Sequence, residues 1–155
     1  MRRYIVIGYL VLLSVMIGLI ITLGALVAPV VFHAHDLMTL PITHYDEGLI
    51  MQEIFRRSNY IFMALAVAVI LYEIYDFRQG RRDKIVMISA FVVFYTIMMF
   101  VFYYTPEITL LQQSQQTQTQ AFDALHKGSE IDFKIMLFAL ITLLFRRFTQ
   151  LVRKK

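Results

Sequence analysis

The stretch YIVIGYLVLLSVMIGLIITLGALVAPVVF, residues 4–32, runs for 29 residues without a charged side chain. A helix rises 1.5 Å per residue, so the roughly 30 Å hydrocarbon core of a bilayer takes about 20 apolar residues. This run is long enough to cross. It is too long for the apolar core of a secretory signal peptide, although Arg2 and Arg3 precede it in the manner of one. Ala25 and Ala28 also have the wrong spacing for a small-x-small cleavage site. The reading is an uncleaved first span with a kink at Ala28-Pro29. Working outward, residues 60–71, 85–104 and 135–145 are three further apolar blocks. With their interfacial ends, the spans predicted are about 4–32, 59–77, 84–104 and 131–148, all within one transmembrane domain covering 1–155. The fold class expected is all-α: an integral membrane four-helix bundle, N-in/C-in, with amphipathic helical outer links.

Composition agrees. The chain is 59% hydrophobic and 17% charged, against roughly 45–50% and about 25% in soluble domains. It has no cysteine, which removes disulfides, thiolate metal sites and a cysteine nucleophile. The net charge of +4 reflects position rather than an affinity for nucleic acid. Eleven of the 15 basic residues fall on one side: Arg2, Arg3, Arg78, Arg81, Arg82, Lys84, Arg146, Arg147, Arg153, Lys154 and Lys155. By the positive-inside rule that side is cytoplasmic, with both termini. The localisation expected is the cell inner membrane, multi-pass.

Two longer links then face outward. In the first, residues 45–58 alternate apolar and polar positions at helical spacing, and are read as an N-terminal extension of span two. In the second, Thr105-Pro106-Glu107 has the pattern of a helix start. Gln112–Gln120 is an uncharged solvated tract. Gly128-Ser129 reads as the end of one helix and the cap of the next, with Asp132 at the third position.

All four histidines, His33, His35, His44 and His126, lie on the outward side with several carboxylates. Neutral imidazole is the commonest transition-metal ligand, so these four are the candidate metal ligands, with His126 foremost. Neither H-E-x-x-H nor C-x-x-C occurs, and a histidine in an interfacial loop has ordinary structural uses. Asp123 and His126, three apart on a helix, are the one pair suited to general acid–base work. Inside the spans Glu73 is the notable carboxylate, with Arg78 its expected partner at the interface. Ser14 with Gly18, and Ala64 with Ala68, have the spacing that lets helices approach closely.

Two sets of motifs carry a family resemblance. Gly24-Ala-Leu-Val-Ala-Pro29, followed by Gly48-Leu-Ile-Met-Gln-Glu-Ile-Phe55, resembles the first half of the transmembrane protein 205-like family. Thr105-Pro106 and Phe122-Asp-Ala-Leu-His126-Lys-Gly-Ser129-Glu130 resemble the second half of its small bacterial members. The resemblance implies a four-helix inner-membrane protein of no settled activity, with Gly24, Pro29, Gly48, Phe55, His126 and Ser129 as motif positions. The fold is also similar to copper-resistance D-type proteins and to a histidine-dependent membrane protoporphyrinogen oxidase, a likeness that says little about function. The function expected is a non-enzymatic transport, assembly or scaffold component, with lipid and a second copy or another membrane protein as partners and no cofactor. The alternative is an outward-facing metal- or haem-binding protein, copper included, that uses His126 with His33, His35 or His44.

Overall fold

The computed structural model describes residues 2–37 and 42–153, so Lys154 and Lys155 of the basic set lie outside the described residues. Among these residues the chain is all-helical. Helix α1 spans residues 2–31 in three parts: Arg2–Ile21 is α-helical, Thr22–Val27 is π-helical and Ala28–Val31 is α-helical again. A single turn, α2, covers Ala34–Leu37. Helix α3 is His44–Arg78, α4 is Lys84–Gln113 and α5 is Gln120–Val152. Helices α1, α3, α4 and α5 are each long and apolar enough to cross a membrane.

Core positions follow helical periodicity. Tyr9, Leu13, Met16, Ile20 and Leu23 of α1 are buried at alternating steps of four and three, the spacing that lines one helix face. They meet Phe62, Leu65, Ala66 and Val69 of α3, Val86, Ala90, Val93, Ile97 and Phe100 of α4, and Met136, Leu140 and Leu143 of α5. Helix α5 packs on α4 and on α1, and α3 packs on α4. Ser14, Gly18 and Ala64 instead face outward, and nothing lies within 4 Å of a Cβ built on Gly18. Among the described residues the Ser14–Gly18 pair therefore makes no close helix approach, while Ala68 is half-buried.

Proline explains both π stretches. Pro29 and Pro106 lack the N–H that would bond four residues back. One step ahead of each, Ala28 N–H donates to Leu23 O and Thr105 N–H donates to Phe100 O, both five residues back. The helix widens by one residue per turn and continues through. Thr105-Pro106 is thus not the helix start predicted from its capping pattern. The Thr105 hydroxyl donates to Phe100 O and accepts from Asn59 Nδ2 instead.

Gly128-Ser129 is likewise no break, because α5 continues from Gln120 to Val152. A Cβ on Gly128 would lie 2.9 Å from the Tyr104 ring, so glycine is there for close helix approach. Ser129 Oγ donates to its own helix at His126 O. Asp132 is buried in mid-helix rather than in a cap. The extension of span two expected over 45–58 does occur, as the first turns of α3.

Candidate functional site at the end opposite the basic residues

The polar chemistry of the bundle collects at its two ends. At the end holding the start of α1, the α3–α4 link and the end of α5, Arg147 is the hub. Its side chain is only 5% exposed, with Glu73 at 12% and Asp76 at 2% around it. The guanidinium bonds both carboxylates and also Gln150 Oε1 at 3.0 Å. Tyr9 Oη donates to Glu73 at 2.9 Å, and Arg81 pairs with Asp76. The Tyr9 and Tyr72 rings stack at 3.8 Å, and Arg147 lies over Tyr72. Glu73 is thereby held by Arg147 and Tyr9, two distant parts of the chain, and not by Arg78 as its sequence neighbourhood suggested. Two buried carboxylates with two guanidiniums make a charge-balanced cluster that ties α1, α3 and α5 together.

The opposite end carries a different arrangement, built at the start of α3. Thr43 caps that helix: its hydroxyl accepts from Asp46 N–H at 3.3 Å, while Asp46 accepts from Thr43 N–H at 2.9 Å. This capping box fixes the first turn, and one residue later stands Glu47. Its side chain is 0% exposed. A buried carboxylate needs donors, and Glu47 has three. Oε1 accepts from the backbone N–H of His35 at 2.9 Å and from His35 Nδ1 at 2.7 Å, and Oε2 accepts from His44 Nδ1 at 2.8 Å. Both imidazoles therefore carry a proton on Nδ1, because a carboxylate only accepts. The two rings lie edge to face at 4.5 Å, and His35 Nε2 is 3.3 Å from Asp36 Oδ1. The hydrogen bond to Glu47 raises the His35 imidazole above its ordinary pKa against the opposing desolvation, and Asp36 adds to the effect.

Of the four histidines singled out from sequence, two are thus brought together. One ligand atom each from His35, His44 and Glu47 lie within 4.8 Å of one another, a spacing that could hold a metal ion. His33 and His126 are not in that group. His33 Nδ1 donates to Pro29 O within its own helix turn, at 2.8 Å. The His126 ring stacks on Phe122 and meets Phe32 edge-on, while its Nε2 lies 3.4 Å from Glu130. Asp123, its suggested acid–base partner, is exposed.

The family-motif positions mostly pack helices. Phe55 belongs to a ring cluster with Phe62, Phe100 and Phe133, neighbouring centroids 5.2–6.0 Å apart. Gly24 leaves room for Phe133, which would lie 3.4 Å from an added Cβ. A Cβ on Gly48 would collide with the Gln112 carboxamide, whose Nε2 donates to Tyr45 O. Deeper in the bundle, Asn59 and Asp132 are buried with one oxygen each lacking a protein donor. Sequence reasoning counted Glu47 among the outward carboxylates without singling it out, and it missed Asp76 and Arg147. For Glu47 a signal existed, since His44 and Glu47 have the three-residue spacing that brings side chains together on a helix.

A family model described as a domain of unknown function, DUF4149, matches residues 11–117. The chain belongs to the DUF4149 family. The matched residues take in the histidine–carboxylate cluster and all of α3 and α4, whereas His126 and Ser129 lie beyond them. No curated protein and no solved structure matches the chain closely enough to add to this.

Proposed function

We propose that this DUF4149 protein is a four-span protein of the cell inner membrane with both termini cytoplasmic, acting as a non-enzymatic transport, assembly or scaffold component. One observation carries the reading: the helices that are long enough to span are apolar on their outward faces. Phe91, Phe138, Phe145, Leu71, Val15 and Leu26 are among the large side chains most exposed. Apolar surface on that scale is stable only against lipid or another protein. Lipid is thus the first partner, with a second copy or another membrane protein as further ones. The resemblance of the motifs to the transmembrane protein 205-like family supports the same architecture.

Orientation rests on the basic residues, since Arg78, Arg81, Arg82, Lys84, Arg146, Arg147 and Arg153 gather at one end. The test is a pair of reporter fusions. Alkaline phosphatase joined at Ser114 is expected to be active and at Lys155 inactive, with a fluorescent protein giving the converse. Active phosphatase at Lys155 with none at Ser114 would reverse the topology.

A second reading, an outward-facing metal- or haem-binding membrane protein, is favoured by the convergence of His35 and His44 on Glu47. It does not favour haem on His126, whose Nε2 already faces Glu130.

A further inference from the structure

We propose that His35, His44 and Glu47 form a binding site for a late first-row divalent metal ion, with zinc or copper(II) the best matched, open to an exchangeable fourth ligand. This rests on the second reading above and assigns it a ligand set and an ion class.

The donor set selects the ion. Two imidazoles and one carboxylate suit zinc, copper(II) or nickel(II). Magnesium and calcium prefer an all-oxygen shell, and copper(I) prefers the thiolate and thioether donors that this cluster lacks. Three protein ligands also leave a tetrahedral ion one free position, as in zinc sites that exchange water or substrate. His44, 81% exposed, leaves that position accessible from solvent.

Geometry requires only a small adjustment. The two Nδ1–Oε separations are 2.7 and 2.8 Å. Around an ion with bonds of about 2.0–2.2 Å, adjacent ligand atoms stand about 3.4 Å apart. Each pair must therefore open by about 0.6–0.7 Å to reach that spacing. The protons balance without a base in the protein. A neutral imidazole moves its proton from Nδ1 to Nε2, a protonated one releases its Nδ1 proton to solvent, and the ion takes the place of the two hydrogen bonds. For His35 the relocated proton has an acceptor waiting, because Asp36 Oδ1 is 3.3 Å from Nε2. A carboxylate behind a ligating histidine fixes its tautomer and raises its basicity. The His35 backbone N–H holds Glu47 Oε1 in place throughout, at 2.9 Å.

The rival account is a purely structural clamp, in which the two histidines do no more than satisfy a buried carboxylate. Zinc titration of the full chain in detergent, purified on a tag without histidine, separates the two. One equivalent of Zn²⁺ is expected to bind, and X-ray absorption should show two imidazoles and an oxygen donor. His44→Ala, at an exposed position, should weaken binding at least about tenfold while the helical circular dichroism stays that of wild type. Asp36→Asn should weaken it less, and His33→Ala and His126→Ala should bind as wild type. If the wild type takes up no stoichiometric zinc or copper(II), the cluster is a clamp and the inference falls; if the purified protein also binds no haem, the second reading falls with it. If metal or haem is bound and lost with His126→Ala but kept with His44→Ala, the second reading stands and this assignment is wrong.

Discussion

Replacing Arg147 by methionine keeps the bulk of the side chain and removes its charge. Glu73 and Asp76 are then left buried beside an apolar group, the situation in which a broken buried ion pair costs about 3–5 kcal/mol. The structure argues for the lower end. Glu73 retains the Tyr9 hydroxyl and Asp76 retains Arg81, so neither carboxylate loses every donor. A loss of about 3 kcal/mol corresponds to a fall of about 6–12 °C in the unfolding midpoint of a chain this size. Helical circular dichroism followed on heating in one detergent gives the comparison. The triple variant Glu73→Gln, Asp76→Asn, Arg147→Met, which leaves only the part-exposed Arg81 charged, is expected to recover part of the loss, because no unpaired carboxylate stays buried. A deficit of about 1 kcal/mol or less for Arg147→Met is the cost of a surface pair, and would refute the claim that this cluster pins the bundle.

Two further outcomes follow from single side chains. Gly128→Ala gains up to about 1 kcal/mol of helix propensity, yet its Cβ would sit 2.9 Å from the Tyr104 ring. Overpacking of about 1–3 kcal/mol should win, and the double variant with Tyr104→Leu should relieve it; a Gly128→Ala protein that melts higher than wild type would contradict the contact. Asp83 caps α4 and also accepts from Arg146 and Gln150 at 2.8 and 2.9 Å. Partial burial pushes its carboxyl up, but these donors outweigh it and hold it below the usual carboxylate range. A depressed folded-state pKa gives stability that is complete above the unfolded value near 3.9 and lost as pH falls through the folded one. Acidification below about pH 4 should thus destabilise wild type more than Asp83→Asn, and parallel melting curves would count against it.

How much of this could be read beforehand depends on how local each signal is. The four long helices and the one-sided basic residues were legible, because both are written in runs of composition. Thr105-Pro106 and Gly128-Ser129 were misread as helix boundaries for a common reason. The residues that start and stop helices also serve inside them: proline where a π stretch absorbs the missing donor, glycine where a tyrosine ring comes close. Pairings across the bundle were out of reach. Arg78 is nearer to Glu73 in sequence, yet the bond goes to Arg147, more than seventy residues on. The histidine site was half visible. His35 and His44 were among the candidates, but the carboxylate that joins them was only one of several on the outward side, with no motif in the sequence to select it. His126, with more polar neighbours in sequence, is placed against Phe32, Phe122 and Glu130, outside the group formed by His35, His44 and Glu47.

The π stretches at Thr22–Val27 and Phe100–Tyr104 have an implication for how the helix ends are aligned. Each amounts to one extra residue threaded into a continuous helix. Each residue of an α-helix turns about 100°. If Phe100–Tyr104 took ordinary α-turns with no residue removed, everything after it would be rotated by roughly that angle. Gln112 would then swing away from Gly48 while Phe100 kept its place among the phenylalanines. The two halves of such a helix are phased separately: one is set by the apolar core, the other by the polar contacts at its far end. The extra residue is the offset that lets a single rod satisfy both.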